Sequence, residues 1–304
     1  MYTSIDSTAF MGDFHDRIYA GQILRFDNIP AMQLLVTFTQ DMLACAFSPY
    51  EPTEIHRHLS PPQQAERFAA CEREFSRSTE VKALWRQVFE AASLDPSLTA
   101  CDRLHLRFQP HEESSNAPSR ARTTSTIAFH RDTWGTNLYA QTNWWAPVYE
   151  LTEGRTFAIY PSLWNKPLAN TSRSFDLEEV LRRSHSEGRN SVDAVEAIPH
   201  LSEPIPRSLG TPVVIPPGSV IAFSSAHAHA GVPNSTDVTR ISLETRTLSI
   251  NDFKANKGAP NVDGHARWMA PGLFRRLSDG KRLNELLNLA ILERYASLPA
   301  SSHE

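Results

Sequence analysis

The spacing of hydrophobic positions changes near residue 100 of this chain. In residues 79–94 the apolar side chains share one helical face, which predicts an amphipathic helix packed on an apolar partner. Residues 29–47 and 60–75 also have helical spacing, and Ser60 is a candidate N-cap followed by proline in the first turn. We therefore expect residues 1–100 to be mainly helical.

From residue 103 onward, apolar and polar residues alternate as they do in half-buried strands. Turn signals such as the Pro-Pro-Gly at 216–218 separate most of the runs. The strand-like runs lie at 103–110, 126–134, 137–151, 155–161, 211–216, 219–225 and 239–250. Many short strands with turns between them are typical of a sandwich or barrel. The pattern predicts a β core over residues 103–250.

Two further segments flank or interrupt that core. Residues 162–210 form an insert with a helix-like stretch at 176–190, which we interpret either as a lid or binding loop or as a solvated decoration. Residues 251–304 are rich in loops until an amphipathic pattern at 282–298 predicts a C-terminal helix. That helix is expected to cover the core or to form a homodimer contact. No repeat or sharp boundary divides residues 1–304, so we expect one domain.

Composition narrows the class of protein. The chain has 304 residues, of which 40% are hydrophobic and 21% charged, as in globular proteins. A net charge of −4 argues against a general nucleic-acid binder. The three cysteines have no metal-binding spacing and fit no disulfide framework. Neither a signal peptide nor a membrane-length apolar run is visible. These features predict a cytoplasmic protein without a membrane partner.

The tripeptide His130-Arg131-Asp132 ends one of the predicted strands. Residues two apart on a strand point to the same face, so His130 and Asp132 can reach one ion while Arg131 points away. An imidazole and a carboxylate are two thirds of the facial triad that holds non-haem Fe(II). Taken alone the tripeptide is a weak signal, because a His and an Asp often meet at a strand end by chance.

A third ligand has to come from another strand. His227 and His229 both follow the apolar run 219–225, and local pattern does not distinguish them. Arg240 lies eleven residues after His229. A guanidinium binds a carboxylate through two hydrogen bonds, which suits an anionic co-substrate held beside a metal.

With HRD at 130–132 and HAGVPNSTDVTR at 229–240, the sequence resembles the Fe(II)/2-oxoglutarate-dependent oxygenases, most closely the phytanoyl-CoA dioxygenase-like branch. The resemblance implies a mainly β, cupin-like double-stranded β-helix (jelly roll) flanked by N-terminal helices and a C-terminal helix. It does not cover the N-terminal helices or the insert. The implied activity is oxidation of a C–H bond in a small metabolite of secondary or amino-acid metabolism, by hydroxylation, desaturation or ring formation.

Carried over by position, the resemblance makes His130, Asp132 and His229 the Fe(II) ligands. It makes Arg240 the partner of the distal carboxylate of 2-oxoglutarate, with O2 as the second co-substrate. His227 is then a residue behind the ligands, a substrate-facing residue or a core histidine. A carboxylate at Asp132 argues against halogenation, because the resembling halogenases have a small residue there.

Further candidates lie near the tripeptide in sequence. Gln141, Asn143 and Trp145 share one strand face, and we expect Gln141 and Asn143 to point inward and bind substrate or 2-oxoglutarate. Trp145 and Tyr160 are candidate walls of a substrate pocket, although core packing suits Tyr160 equally well. Arg107 is a candidate partner for an anionic substrate group, although a surface salt bridge is the commoner fate of such a residue.

Two other classes of protein fit the same residues. One is an iron oxidase on the same triad that uses no 2-oxoglutarate, with Arg240 binding the carboxylate of the substrate. The other is a non-catalytic, metal-binding cupin-like protein. No GxSxG, P-loop or GxGxxG motif supports a hydrolase, kinase or dinucleotide-binding protein.

Overall fold

The structure is a computed structural model that describes residues 2–6, 12–111, 126–180, 199–291 and 293–294. Its helices are α1 (Phe14–Tyr19), α2 (Pro30–Phe47), α3 (Pro61–Arg77), α4 (Thr79–Ala91), α5 (Thr133–Thr136), α6 (Ile250–Lys254) and α7 (Leu283–Leu287). Its strands are β1 (Thr3–Asp6), β2 (Leu24–Asp27), β3 (Thr99–Cys101), β4 (His105–Gln109), β5 (Gln141–Pro147), β6 (Phe157–Ile159), β7 (Thr211–Pro212), β8 (Val220–Ser224), β9 (His229–Gly231), β10 (Arg240–Ser249), β11 (Trp268–Met269), β12 (Arg275–Arg276) and β13 (Glu293–Arg294).

The three long helices α2, α3 and α4 confirm the helical interpretation of the first hundred residues. At the start of α3, the backbone N–H of Ser60 donates to the side chain of Gln63 at 2.9 Å, which satisfies one end of a capping box. At the start of α4, Ser78 accepts from the backbone N–H of Val81. Within the described residues, no helix combines the length and apolar character needed to cross a membrane.

The strands form two main sheets. The larger has the order β1-β2-β8-β5-β10-β3-β12, and β4 also pairs with β10. The smaller has the order β7-β6-β9, and β11 pairs with β13 in a separate ribbon. Two open sheets with helices packed beside them are consistent with a cupin-like fold.

Strand β10 is central and has two different faces. Its residues Ile241 and Leu243 join the large apolar core formed with α2, α3 and α4. On the opposite face of the larger sheet, a smaller apolar core bridges to the smaller sheet. Five of its residues are Trp145, Ile221 and Phe223 from the larger sheet and Phe157 and Ile159 from the smaller. Arg240, Ser242, Glu244 and Arg246 of β10 share this inner side with Trp145, because side chains alternate along a strand.

The strand predicted over 126–134 is wrong for most of its length. Only His130 forms a bridge, and the chain then turns into α5. The Asp132 carbonyl accepts hydrogen bonds from Gly135 and Thr136, which closes this short helical turn. The helix ends at Asn137, which adopts a left-handed conformation with φ 51°.

The long C-terminal helix predicted over 282–298 is also wrong for the described residues, which leave out 292 and 295–298. Helix α7 ends after one turn, and Asn288 adopts a left-handed conformation with φ 55°. The N–H of Leu289 donates back to the carbonyl of Asn284 at 2.8 Å, which completes the helix end. The chain then pairs as β13 with β11. In the insert, residues 177–180 are helical, and the rest of the stretch predicted as a helix lies outside the described residues.

Candidate metal centre

His130 and His229 are brought together by backbone pairing between distant segments. Each residue donates its N–H to the carbonyl of the other at 3.0 Å, in an isolated antiparallel bridge. The N–H of Asp132 donates to the carbonyl of Ser225 at 3.1 Å. The tripeptide is therefore fixed beside the connection between β8 and β9.

The side chains of His130, Asp132 and His229 converge. One potential ligand atom from each lies within 4.8 Å of the other two, and this is the one such group of three or more found in the described part of the chain. The Nε2 of His130 is 3.6 Å from the Oδ1 of Asp132. The Nδ1 atoms of the two histidines lie 2.8 Å and 3.0 Å from the carbonyls of Ala128 and His227. Because a carbonyl only accepts, each Nδ1 carries the proton, and each Nε2 is left as a lone-pair donor.

His227 has a different environment. Its side chain is fully buried, and its ring centroid lies 4.3 Å from that of Trp164. Burial lowers the pKa of His227 to about 3, so the ring is neutral. Trp164 also covers Gly21, where an added Cβ would lie 2.6 Å from the indole. The structure thus separates two histidines that local pattern could not distinguish, and His227 packs as a core residue.

One carboxylate oxygen of Asp132 is hydrogen-bonded, and the other lies near a cation. The Nδ2 of Asn143 donates to Oδ2, and the Nε2 of Gln141 donates to the Oδ1 of Asn143 at 3.0 Å. The Nη2 of Arg246 lies 3.8 Å from the Oδ1 of Asp132. Burial opposes ionisation of Asp132, but the nearby charge of Arg246 outweighs it and holds its pKa well below the usual range. Asp132 is therefore an anionic donor at neutral pH.

His229 is neutral in this environment. Burial lowers its pKa to about 4, and the proximity of His130 contributes in the same direction, while Asp132 opposes both. Two imidazoles and one carboxylate form a donor set suited to a first-row divalent metal such as Fe(II).

Arg246 is a residue of this site that sequence reasoning missed. Its Nη1 contacts the Oδ2 of Asp102 at 2.9 Å, in addition to its approach to Asp132. Burial disfavours its charge, but the two aspartates raise its pKa. The available signal was its position six residues after Arg240 on one strand, which places both on the same face.

Arg240 is a buried cation without a complete set of partners. Its side chain is 4% exposed, and its Nε and Nη1 have no hydrogen-bond partner among the described residues. Burial lowers its pKa to about 10, with Glu244 opposing the shift and Arg107 adding to it. An unpaired buried guanidinium is costly, so such a residue marks a place where an anion can bind.

The other residues that the sequence predicts for the site, Arg107, Trp145 and Tyr160, have different surroundings. The Nε of Arg107 lies 2.9 Å and 2.8 Å from the two carboxylate oxygens of Glu244, so its charge is already matched. Trp145 faces the inner core, with its ring centroid 4.8 Å from that of Phe157. Tyr160 packs against Phe129, in a separate cluster on the other face of the smaller sheet. Tyr160 is therefore placed away from the converging ligands.

Arg131 points away from the centre, as predicted. Its side chain is 1% exposed, and its Nε lies 3.3 Å from Asp263. Its guanidinium donates at 2.7–3.2 Å to the backbone carbonyls of Leu163, Trp164, Lys166 and Ala226. Arg131 therefore ties the start of the insert to the tripeptide that carries the two ligands.

Comparison with known proteins gives distant structural likeness only. The sequence matches no protein-family model and no curated protein. Among solved structures, the chain is similar to the non-heme monooxygenase ThoJ in its apo form (14% identity, 78% of each chain, TM-score 0.45). It is similar to EvdO2 from Micromonospora carbonacea var. aurantiaca complexed with 2-oxoglutarate (12% identity, 82% of this chain and 94% of that chain, TM-score 0.47).

A third similar structure is SnoK, a non-heme alpha ketoglutarate dependent carbocyclase from nogalamycin biosynthesis (11% identity, 90% of this chain and 98% of that chain, TM-score 0.41). The structures that this chain resembles are thus described as non-heme oxygenases and 2-oxoglutarate-dependent proteins. All three TM-scores lie below 0.5, so the function is inferred below from the residues of this chain alone.

Proposed function

We propose that this protein is a non-haem Fe(II)/2-oxoglutarate-dependent oxygenase with a jelly-roll core. The observation that carries the proposal is the convergence of His130, Asp132 and His229, whose ligand atoms lie within 4.8 Å of one another. Two imidazoles and one carboxylate on one side of a metal leave the other coordination positions open. The donor set therefore fits Fe(II) better than a closed structural metal site.

Arg240 supports the use of an anionic co-substrate. It lies on the inner face of the larger sheet and has unpartnered, buried nitrogens among the described residues. The distal carboxylate of 2-oxoglutarate supplies the acceptor oxygens that a guanidinium lacks there. In this proposal Arg240 orients the co-substrate, and Arg107 contributes little because Glu244 already neutralises it.

Bound Fe(II), together with 2-oxoglutarate and O2, would supply the oxidising chemistry that attacks an unactivated C–H bond. The residues of the chain position and enclose that chemistry. His130 and His229 present Nε2 to the metal because their Nδ1 protons are fixed on carbonyls. Phe223 and Phe157 lie near the ring of His229, with centroids 5.6 Å and 6.4 Å away, and exclude water on that side. The substrate is proposed to be a small metabolite.

The first test is anaerobic absorption spectroscopy of the full chain with Fe(II), before and after addition of 2-oxoglutarate. A weak visible charge-transfer band on addition is expected if metal and co-substrate bind together. Iron binding without the band would favour the oxidase that uses no 2-oxoglutarate. Absence of iron binding would reject the enzyme and favour a binding protein.

The ligand assignment has its own matched pair of variants. His229→Ala is expected to abolish Fe(II) binding, because it removes one of three donors. His227→Ala is expected to retain Fe(II) binding, with a loss of stability from the cavity beside Trp164. Equilibrium dialysis with iron quantification measures both. The opposite result would mean that His227 is the ligand.

A further inference from the structure

Asn143 contacts a candidate metal ligand and Gln141 contacts Asn143, although the sequence suggested that both bind substrate or co-substrate. We propose that Asn143, oriented by Gln141, restricts Asp132 to one metal-binding oxygen and so keeps a coordination position open. The inference rests on the proposed function, since it concerns the same metal. It assigns both residues a positioning role.

The two oxygens of Asp132 have unequal surroundings. Oδ1 lies 3.6 Å from the Nε2 of His130, on the side where the ligand atoms converge. Oδ2 accepts the hydrogen bond of Asn143. A carboxylate can bind a metal through one oxygen or through both, and the second mode uses one more coordination position. Because the amide occupies Oδ2, the second mode is disfavoured.

The direction of the Asn143 amide is fixed by Asp132 and supported by Gln141, whose own Oε1 has no hydrogen-bond partner among the described residues. The amide oxygen of Asn143 accepts from the Nε2 of Gln141 at 3.0 Å, so its NH2 group is directed at Asp132. In the reversed orientation two NH2 groups would meet, and an amide oxygen would face a carboxylate. Gln141 and Asn143 stand two apart on β5 and share one face, and both are buried. The relay of two hydrogen bonds, from Gln141 to Asn143 and from Asn143 to Asp132, is therefore shielded from water, which strengthens it.

Arg246 does not replace this relay. Its distance of 3.8 Å from Oδ1 is too long for a hydrogen bond, and its Nη1 is engaged by Asp102 at 2.9 Å. Oδ1 therefore stays available for a metal, while Oδ2 stays bound to the amide.

The test compares Asn143→Ala and Gln141→Met with Thr142→Val. Thr142 lies between the two positions but points to the opposite face, and its hydroxyl has no hydrogen-bond partner among the described residues. Each variant of the full chain is titrated anaerobically with Co(II), and visible absorption reports both affinity and coordination geometry. The affinity of the Co(II)-loaded protein for 2-oxoglutarate is then measured by calorimetry.

We expect Asn143→Ala to bind Co(II) about 10- to 100-fold more weakly, as is typical when a residue that orients a ligand is removed. Its Co(II) spectrum should change and its affinity for 2-oxoglutarate should fall, because Asp132 gains freedom to bind through both oxygens. Gln141→Met should shift the same three quantities less, in the same direction. Thr142→Val should match the wild type.

Several results would overturn the inference. One is wild-type Co(II) affinity and spectrum in both Asn143→Ala and Gln141→Met. Another is lower thermal stability of the metal-free variants with an unchanged Co(II) spectrum, which would indicate packing alone. If Asn143→Ala does not fold, Gln141→Met decides by the same criteria. Failure of the wild type to bind Co(II) or Fe(II) would instead reject the proposed function, so the two failures are distinguishable.

Discussion

Two buried arginines, Arg131 and Arg240, differ in how many of their guanidinium nitrogens have a partner. Both NH2 groups of Arg131 donate to backbone carbonyls, and its Nε, which has no hydrogen bond among the described residues, lies 3.3 Å from Asp263. Arg240 lies in the inner region between the sheets, and two of its nitrogens lack partners among the described residues. A buried charge is tolerated when its hydrogen bonds are made and is costly when they are not. We therefore infer that Arg131 stabilises the fold and, as part of the proposed function, that Arg240 binds an anionic ligand.

Replacement of Arg131 should have the largest effect on stability. Arg131→Met leaves Asp263 as an uncompensated buried charge and deprives several carbonyls of a donor. We expect the free energy of unfolding to fall by about 3–5 kcal/mol, as when one partner of a buried pair is removed. Urea unfolding followed by circular dichroism measures it.

The double variant Arg131→Met with Asp263→Asn is the control for that change. Removal of both charges should recover part of the lost stability, because the uncompensated carboxylate is gone. A loss in the free energy of unfolding below about 1 kcal/mol in the single variant would contradict a stabilising role for Arg131.

Replacement of Arg240 should affect binding and leave stability intact. Arg240→Met keeps the approximate volume and removes a guanidinium with missing partners, so the free energy of unfolding without ligand should be unchanged or higher. Affinity for 2-oxoglutarate should fall about 10- to 100-fold, in line with hydrogen bonds to a charged group worth about 1.5–3 kcal/mol. Anaerobic calorimetry on metal-loaded protein measures the affinity.

Arg240→Lys sharpens the same test. A lysine keeps the charge but cannot form the paired hydrogen bonds, so an intermediate affinity is expected. If Arg240→Met lost as much stability as Arg131→Met, both arginines would stabilise the fold, and the proposed difference between them would be wrong.

Arg107 should give the smallest effect, because its partner is a neighbour rather than a ligand. Arg107→Met frees Glu244, which lies four residues from Arg240 on the same face of β10. We expect a loss of about 1 kcal/mol in stability for this partly exposed pair. Affinity for 2-oxoglutarate should fall a few-fold, because Glu244 then competes for the Arg240 charge. Glu244→Gln in the same background should restore it.

The sequence could predict the residues of the centre but only part of its surroundings. Local pattern offered HRD and two histidines, and the family resemblance selected His229; the fold brings His130, Asp132 and His229 together. The contact of Arg246 with Asp132 depends on which strands pair and in what register. No local pattern contains that information, so this residue was missed.

The two wrong predictions of secondary structure also come from reading a local pattern alone. Alternation around His130 resembled a strand, but pairing there is limited to one bridge because α5 begins at Thr133. The amphipathic pattern after residue 282 continues through Asn288, but that residue adopts a left-handed conformation and ends the helix. In both places the local backbone conformation interrupts the longer periodic pattern on which the prediction was based. The helices α2–α4 were predictable because helical spacing of the apolar residues extends along the whole length of each of them.

The bridge between His130 and His229 joins positions 99 apart in the sequence. Closing so long a segment carries an entropy cost that depends only weakly on its exact length. The distance between the two imidazoles is set by the bridge itself, so a change in the length of the insert beyond Lys166 leaves it unchanged. The relative position of the two histidines is therefore uncoupled from the length of the insert that lies between them in the sequence.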